Sequence, residues 1–90
     1  MDRLAGYRVK EEVPIKGGSV DLVASDGKEL IAIEIETGKS DAIRNIRKDL
    51  KAGFDRVVVG VLDLKLKEKI EGLLGPEEAR KVDFLSPARS

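Results

Sequence analysis

The chain has 90 residues and 17 basic against 17 acidic side chains, so its formal net charge is zero. That length suits one domain with a two-layer core, and zero net charge confines any nucleic-acid surface to a local basic patch. The absence of Cys and His excludes disulfides, thiolate nucleophiles, zinc fingers and the commonest general base. Any catalysis must then run on carboxylates, lysines, hydroxyls or a hard cation held by oxygens. A charged fraction of 38 % with a single Met fits a thermophile and a very soluble surface equally well. No apolar run reaches the length of a membrane span and the N-terminus has no signal-peptide pattern, so a cytoplasmic chain with no membrane partner is expected.

In chain order, Leu4-Ala5-Gly6 reads as the last turn of a helix stopped by Gly6, or as a disordered start. Tyr7 to Ile15 alternates as a strand, and Pro14, which cannot donate to a ladder, places it at a sheet edge. Lys16-Gly17-Gly18-Ser19 signals a hairpin turn, and Val20 to Ala24 forms the second strand. Ser25-Asp26-Gly27-Lys28 predicts a tight two-residue turn leading into a third strand, Glu29 to Glu36. Thr37-Gly38-Lys39 breaks that strand, Ser40 is a good N-cap, and Asp41 to Ala52 reads as a helix with Ile43, Ile46 and Leu50 inward, stopped by Gly53. Arg56 to Leu62 is nearly all valine, the pattern of a strand buried on both faces. Leu64 to Leu74 predicts a second amphipathic helix with Leu66, Ile70 and Leu73 inward, ended by Gly75-Pro76. A helical turn over Pro76 to Arg80, a short strand over Lys81 to Leu85 and a tail from Ser86 complete the chain. Phe54 and Phe84 are expected in the core. The fold expected over residues 1–90 is a single α/β (α+β) domain. Its mixed sheet comprises an antiparallel three-strand meander, a right-handed crossover helix and a parallel valine strand.

The predicted hairpin register gives the acids a common place. A two-residue loop at Asp26-Gly27 pairs Val23 with Leu30 and Asp21 with Ala32. Asp21, Val23, Leu30, Ala32, Glu34 and Glu36 then share one face, with Asp21 and Glu34 as diagonal neighbours. Val20, Leu22, Ile31, Ile33 and Ile35 share the other face, expected to be the main core. A turn at Gly17-Gly18 sets Pro14 opposite Asp21 and Glu12 opposite Val23, which adds Glu12 to the acidic face. Carboxylates this close repel, and a hard cation such as Mg2+ or Mn2+ on Asp21, Glu34 and the Ile35 carbonyl resolves the repulsion. The competing reading is a solvated sheet face with these acids paired to Lys or Arg.

Arg44, Arg47, Lys48 and Lys51 recur at helical spacing as a basic stripe, suited to a DNA backbone or to plain solvent. Thr37-Gly38-Lys39-Ser40 ends like a phosphate-binding loop but lacks the leading glycine, so Ser40 reads better as a helix cap whose amide could hold a DNA phosphate. Lys65 to Glu71 alternates in sign and reads as solvated surface.

Gly18-Ser19-Val20-Asp21-Leu22-Val23, a turn, Ile33-Glu34-Ile35-Glu36 and a helix together resemble the PD-(D/E)XK nuclease superfamily, the fold of Holliday-junction resolvases and many restriction enzymes. The resemblance runs from Leu4 to about Ile70 and implies a restriction-endonuclease-like core with a truncated first helix. It also implies that Asp21 and Glu34 ligate Mg2+ or Mn2+. Glu36 stands where that family usually has a lysine that manages the attacking water, and Lys39 could swing back to replace it. The resulting expectation is a metal-dependent DNA endonuclease-like domain. The alternative is a catalytically inactive DNA-binding or assembly module, part of a larger ATPase or nuclease chain. A homodimer covering the face left open by the missing helix is a third, structural reading.

Overall fold

The computed structural model describes residues 6–38 and 41–86. The expected helix turn at Leu4 and Ala5, together with Lys39, Ser40 and the tail beyond Ser86, lies outside them. The architecture is α+β: a five-stranded mixed sheet and three helices. The elements are β1 (Arg8–Ile15), β2 (Gly18–Ser25), β3 (Leu30–Glu36), α1 (Ala42–Lys51), β4 (Arg56–Val61), α2 (Leu64–Leu73), α3 (Pro76–Ala79) and β5 (Val82–Leu85). The strands lie in sequence order, β1 to β3 antiparallel and β3, β4 and β5 parallel. The strand bearing Pro14 is an edge, where its missing N–H costs no ladder bond. No described helix is long and apolar enough to cross a membrane.

Both hairpin registers differ from expectation by two residues. Ser25 pairs with Leu30, so residues 26–29 form the loop rather than Asp26-Gly27 alone. The Asp26 carboxylate accepts the Lys28 and Glu29 amides at 2.9 and 2.8 Å, an Asx-type turn that outcompetes the two-residue hairpin. The first turn is Lys16-Gly17, with Ile15 paired to Gly18 and Lys10, not Glu12, opposite Val23. A two-residue shift keeps side chains on their expected faces along β3 and from Leu22 to Ser25 of β2, because the side-chain period is also two, but beyond Leu22 the face changes, and Val20 with its partner Val13 packs into the same cluster as Val23. The shift brings Asp21 level with Glu34, one step beyond the last paired residues Leu22 and Ile33.

The larger correction is which face the helices cover. Parallel crossovers are right-handed, and the order β3-β4-β5 runs one way across the sheet, so α1 and α2 lie on the same side. Ile46 of α1 and Ile70 of α2 join Val23, Ala32, Val57, Val59, Val61 and Val82 in one core cluster. That is the face of Glu34 and Glu36, which are 4 % and 2 % exposed. Of the residues expected as main core, only Val20 is buried there; Leu22, Ile31 and Ile33 are half-buried outside the cluster, and Ile35 is exposed. The valine strand is therefore buried on one face only, since Val58 and Gly60 are half-buried.

The helix ends are locally dictated. Asp41, not Ser40, is the described N-cap of α1: its carboxylate accepts the Arg44 amide at 3.1 Å, which satisfies an otherwise orphaned donor. Asp63 caps α2 through Leu66 in the same way. Leu73 is exposed rather than inward, and Leu74 packs on the core in its place. Phe54 is buried, and Phe84 packs half-buried against the same cluster.

Candidate functional site

The antiparallel ladder of β2 and β3 stops at Leu22 and Ile33. Past that point the Asp21 carboxylate accepts the Ile35 amide at 2.9 Å, so a side chain satisfies a backbone group where the strands part. Glu12 is level with Asp21 across the first hairpin, exposed, and has a left-handed φ of 47°. That backbone kink interrupts β1 where the sequence pattern placed a further acid, and Glu12 stays outside the buried group.

Glu34 faces inward under α1, where it meets Asp49, which is fully buried. As carboxylates, Glu34 Oε2 and both Asp49 oxygens meet no donor among the described residues, and a proton on either group would bond the two to each other. The Lys48 amine lies 3.8 Å from Glu34 and 3.7 Å from Asp49, too long for good hydrogen bonds but close enough to act as a charge. Its direct bond is to the Ser19 carbonyl at 2.7 Å. The lysine runs alongside Gly18, whose φ of +153° favours glycine.

Burial raises the Glu34 pKa to about 9, and the neighbouring Asp49 adds to the rise, against the Lys48 charge. Burial also raises Asp49, while Glu34 and Lys48 pull it back. Two buried carboxyls with one cation nearby thus favour keeping a proton between them, because two close carboxylates do not readily both ionise. Glu36 is buried beside them and accepts the Asn45 side-chain amide at 3.2 Å.

The basic stripe is not uniform. Arg47 is bound through two nitrogens to Glu78, at 2.6 and 3.2 Å, which raises the Arg47 pKa and lowers that of Glu78. Lys48 turns into the acidic group. Arg44 and Lys51 remain exposed and make no ion pair among the described residues. Together with Lys16 from the first turn they line an open groove along α1, whose walls also carry Asp41 and Glu78.

The structure therefore brings Asp21 and Glu34 to one level, and in it Arg47 binds Glu78 and Lys48 binds the Ser19 carbonyl. Asp49 is a residue that the sequence reading does not single out. Its spacing from Ala42 and Ile46 put it on the buried line of α1, and that signal was available. Lys39 and Ser40 lie outside the described residues. Comparisons with family models, with curated proteins and with solved structures found no match.

Proposed function

We propose that this chain is a cation-dependent nuclease-like domain acting on DNA phosphodiesters. One observation carries the reading: the buried pair Glu34 and Asp49, whose three oxygens meet no donor among the described residues, lies near Asp21, and Lys48 joins this pair to a groove along α1 that Lys16, Arg44 and Lys51 also line. An all-oxygen donor set of this kind suits a hard cation. Among the described residues no three acidic side chains are arranged to hold a metal. An ion would therefore rest on two carboxylates, the Ile35 carbonyl and water, a coordination that Mg2+ accepts. Bound Mg2+ or Mn2+ would polarise a phosphate and lower the pKa of a water. Asp21 and Glu34 would hold that ion, with Glu34 exchanging its proton for it. Lys48 would stand as the positive charge beside Glu34, the part that the resemblance assigned to Glu36 or Lys39. Arg44 and Lys51 would hold the DNA backbone.

The test is cleavage of linear, single-stranded and branched DNA with Mn2+ by the whole chain. Cleavage is expected, and it should be lost in Asp21→Ala and in Glu34→Gln. Cleavage that persists in both variants, or none in the parent, overturns the enzymatic reading.

A second reading is a DNA-binding module without catalysis. It is favoured by the Lys48 ammonium, which already offsets the charge of Glu34 and Asp49. It expects salt-dependent binding that weakens in Arg44→Ala and Lys51→Ala, each lowering the salt slope by about 1, with no Asp21-dependent cleavage.

A further inference from the structure

The sheet face opposite the helices is apolar and, among the described residues, uncovered. Pair registers align Val9, Leu22, Ala24, Ile31, Ile33, Ile35, Val58 and Leu85 on it. None of these belongs to the core cluster or packs against it. Val9, Ile35 and Leu85 are 44 %, 52 % and 62 % exposed, and the Ile35 side chain lies across Gly60, 3.1 Å from where a Cβ would be. The charges on this face are few: Arg56 is bonded to Asp83, and Glu11 stands on the edge strand β1.

We propose that this face is the interface of a homodimer, in which a second copy packs its sheet against the first. Area supports it. Strands spaced ~4.8 Å apart and rising ~3.3 Å per residue make a five-stranded face of very roughly 24 by 20 Å. Two such faces bring together on the order of 1,000 Å², the threshold for a specific interface, and each alone is as large as the largest apolar patch of an ordinary monomer, about 300–600 Å². Charge supports it as well. The chain is neutral, and the face carries one internally neutralised ion pair with a single rim acid, so two copies meet without strong like-charge repulsion. Two packed sheets with interleaved aliphatic side chains form the ~10 Å layer of a β-sandwich. This proposal does not depend on the nuclease reading, and its test does not use DNA or metal.

Sedimentation equilibrium of the whole chain, from micromolar to millimolar concentration, decides it. The parent is expected to form a closed dimer. Ile35→Arg, at an exposed position, is expected to weaken it by ~30-fold or more, the effect of losing a central contact, with an unchanged far-ultraviolet spectrum. Leu73→Arg, at an exposed position on α2, should leave it intact. A parent that stays monomeric, a dimer that Ile35→Arg does not weaken, or an open-ended assembly overturns the proposal. If Ile35→Arg does not fold, a single cysteine settles the matter, since the chain has none of its own. Ile33→Cys is expected to link two copies through a short bismaleimide where Leu73→Cys does not, and failure of Ile33→Cys to link overturns the proposal.

Discussion

On the side of the sheet that carries the helices, β3 presents Ala32, Glu34 and Glu36; on the side that carries none, it presents Ile31, Ile33 and Ile35. Hydrophobicity alone would assign these faces the other way round. The connections decide instead: right-handed crossovers between parallel neighbours carry α1 and α2 to one side, whatever that side displays. The covered face is thus burdened with acids that a packed core does not need, and each must be compensated. Glu36 accepts from Asn45; Glu34 and Asp49 rely on a proton and the nearby Lys48 charge. Compensation of that kind is what the proposed cation site rests on. The open face has no such groups and is suited to association.

The largest contrast between the two faces should appear on truncating an isoleucine. Ile46 is 1 % exposed in the core cluster, so Ile46→Ala should cost about 2–5 kcal/mol in urea unfolding. Ile35→Ala, half-exposed on the open face, should change monomer stability by less than about 1 kcal/mol. At high protein concentration that small cost should grow as the dimer becomes populated. A concentration-independent cost for Ile35→Ala would show that the open face stabilises the monomer alone.

Next in size is the removal of the cation from the covered face. Lys48→Met leaves Glu34 and Asp49 buried with no nearby positive charge, and leaving buried acceptors without their partner costs about 1–3 kcal/mol when both acids are asked to ionise. The loss should be large at pH 9 and small at pH 5, where protons neutralise the acids. A pH-independent loss would assign Lys48 to packing along the Gly18 backbone rather than to charge.

The parent itself should titrate. Glu34 binds its proton up to about pH 9 in the folded chain against an ordinary value of 4.5, so between these values the folded state holds more protons than the unfolded one. Stability then falls as pH rises through that window, and it is greatest below it. Glu34→Gln, which cannot ionise, should flatten the slope in metal-free buffer. If the slope is unchanged, the proton resides elsewhere. Added Mn2+ should steepen stability in the opposite sense by favouring the ionised carboxylate, if the ion binds there.

Much of this was legible before the fold was known, for reasons that also set the limit. Period-two and helical patterns placed every strand and both long helices, because alternation and amphipathic stripes report local geometry directly. Asp21 and Glu34 were found as neighbours although both turns were misjudged, because each error was an even number of residues. Which face is covered could not be read from β3, since the choice depends on where β4 and β5 lie. Asp49 carries a charge, which hides it among surface residues, although its position relative to Ile46 is that of a core residue. The engagement of Arg47 with Glu78 joins residues far apart in sequence, and no local spacing signals it.

The smallest predicted effect concerns what holds α1 over the acids. Asp41 accepts the Arg44 amide at the first turn, and α1 brings Asn45 to Glu36 and Asp49 to Glu34. Loss of an N-cap costs about 1 kcal/mol, so Asp41→Ala should lower stability by that amount, while Asp41→Asn, an equally good cap, should not. The distinction matters for the two faces because the cap acts only on the covered one. Fraying of the first turn would release the Asn45 bond and admit water to Glu36, leaving the open face and its association constant untouched. Hydrogen exchange should therefore speed up at residues 44–46 in Asp41→Ala and stay at the parent rate along Ile31 to Ile33. An equal acceleration at both would mean that the faces are coupled through β3 and do not behave as two independent surfaces.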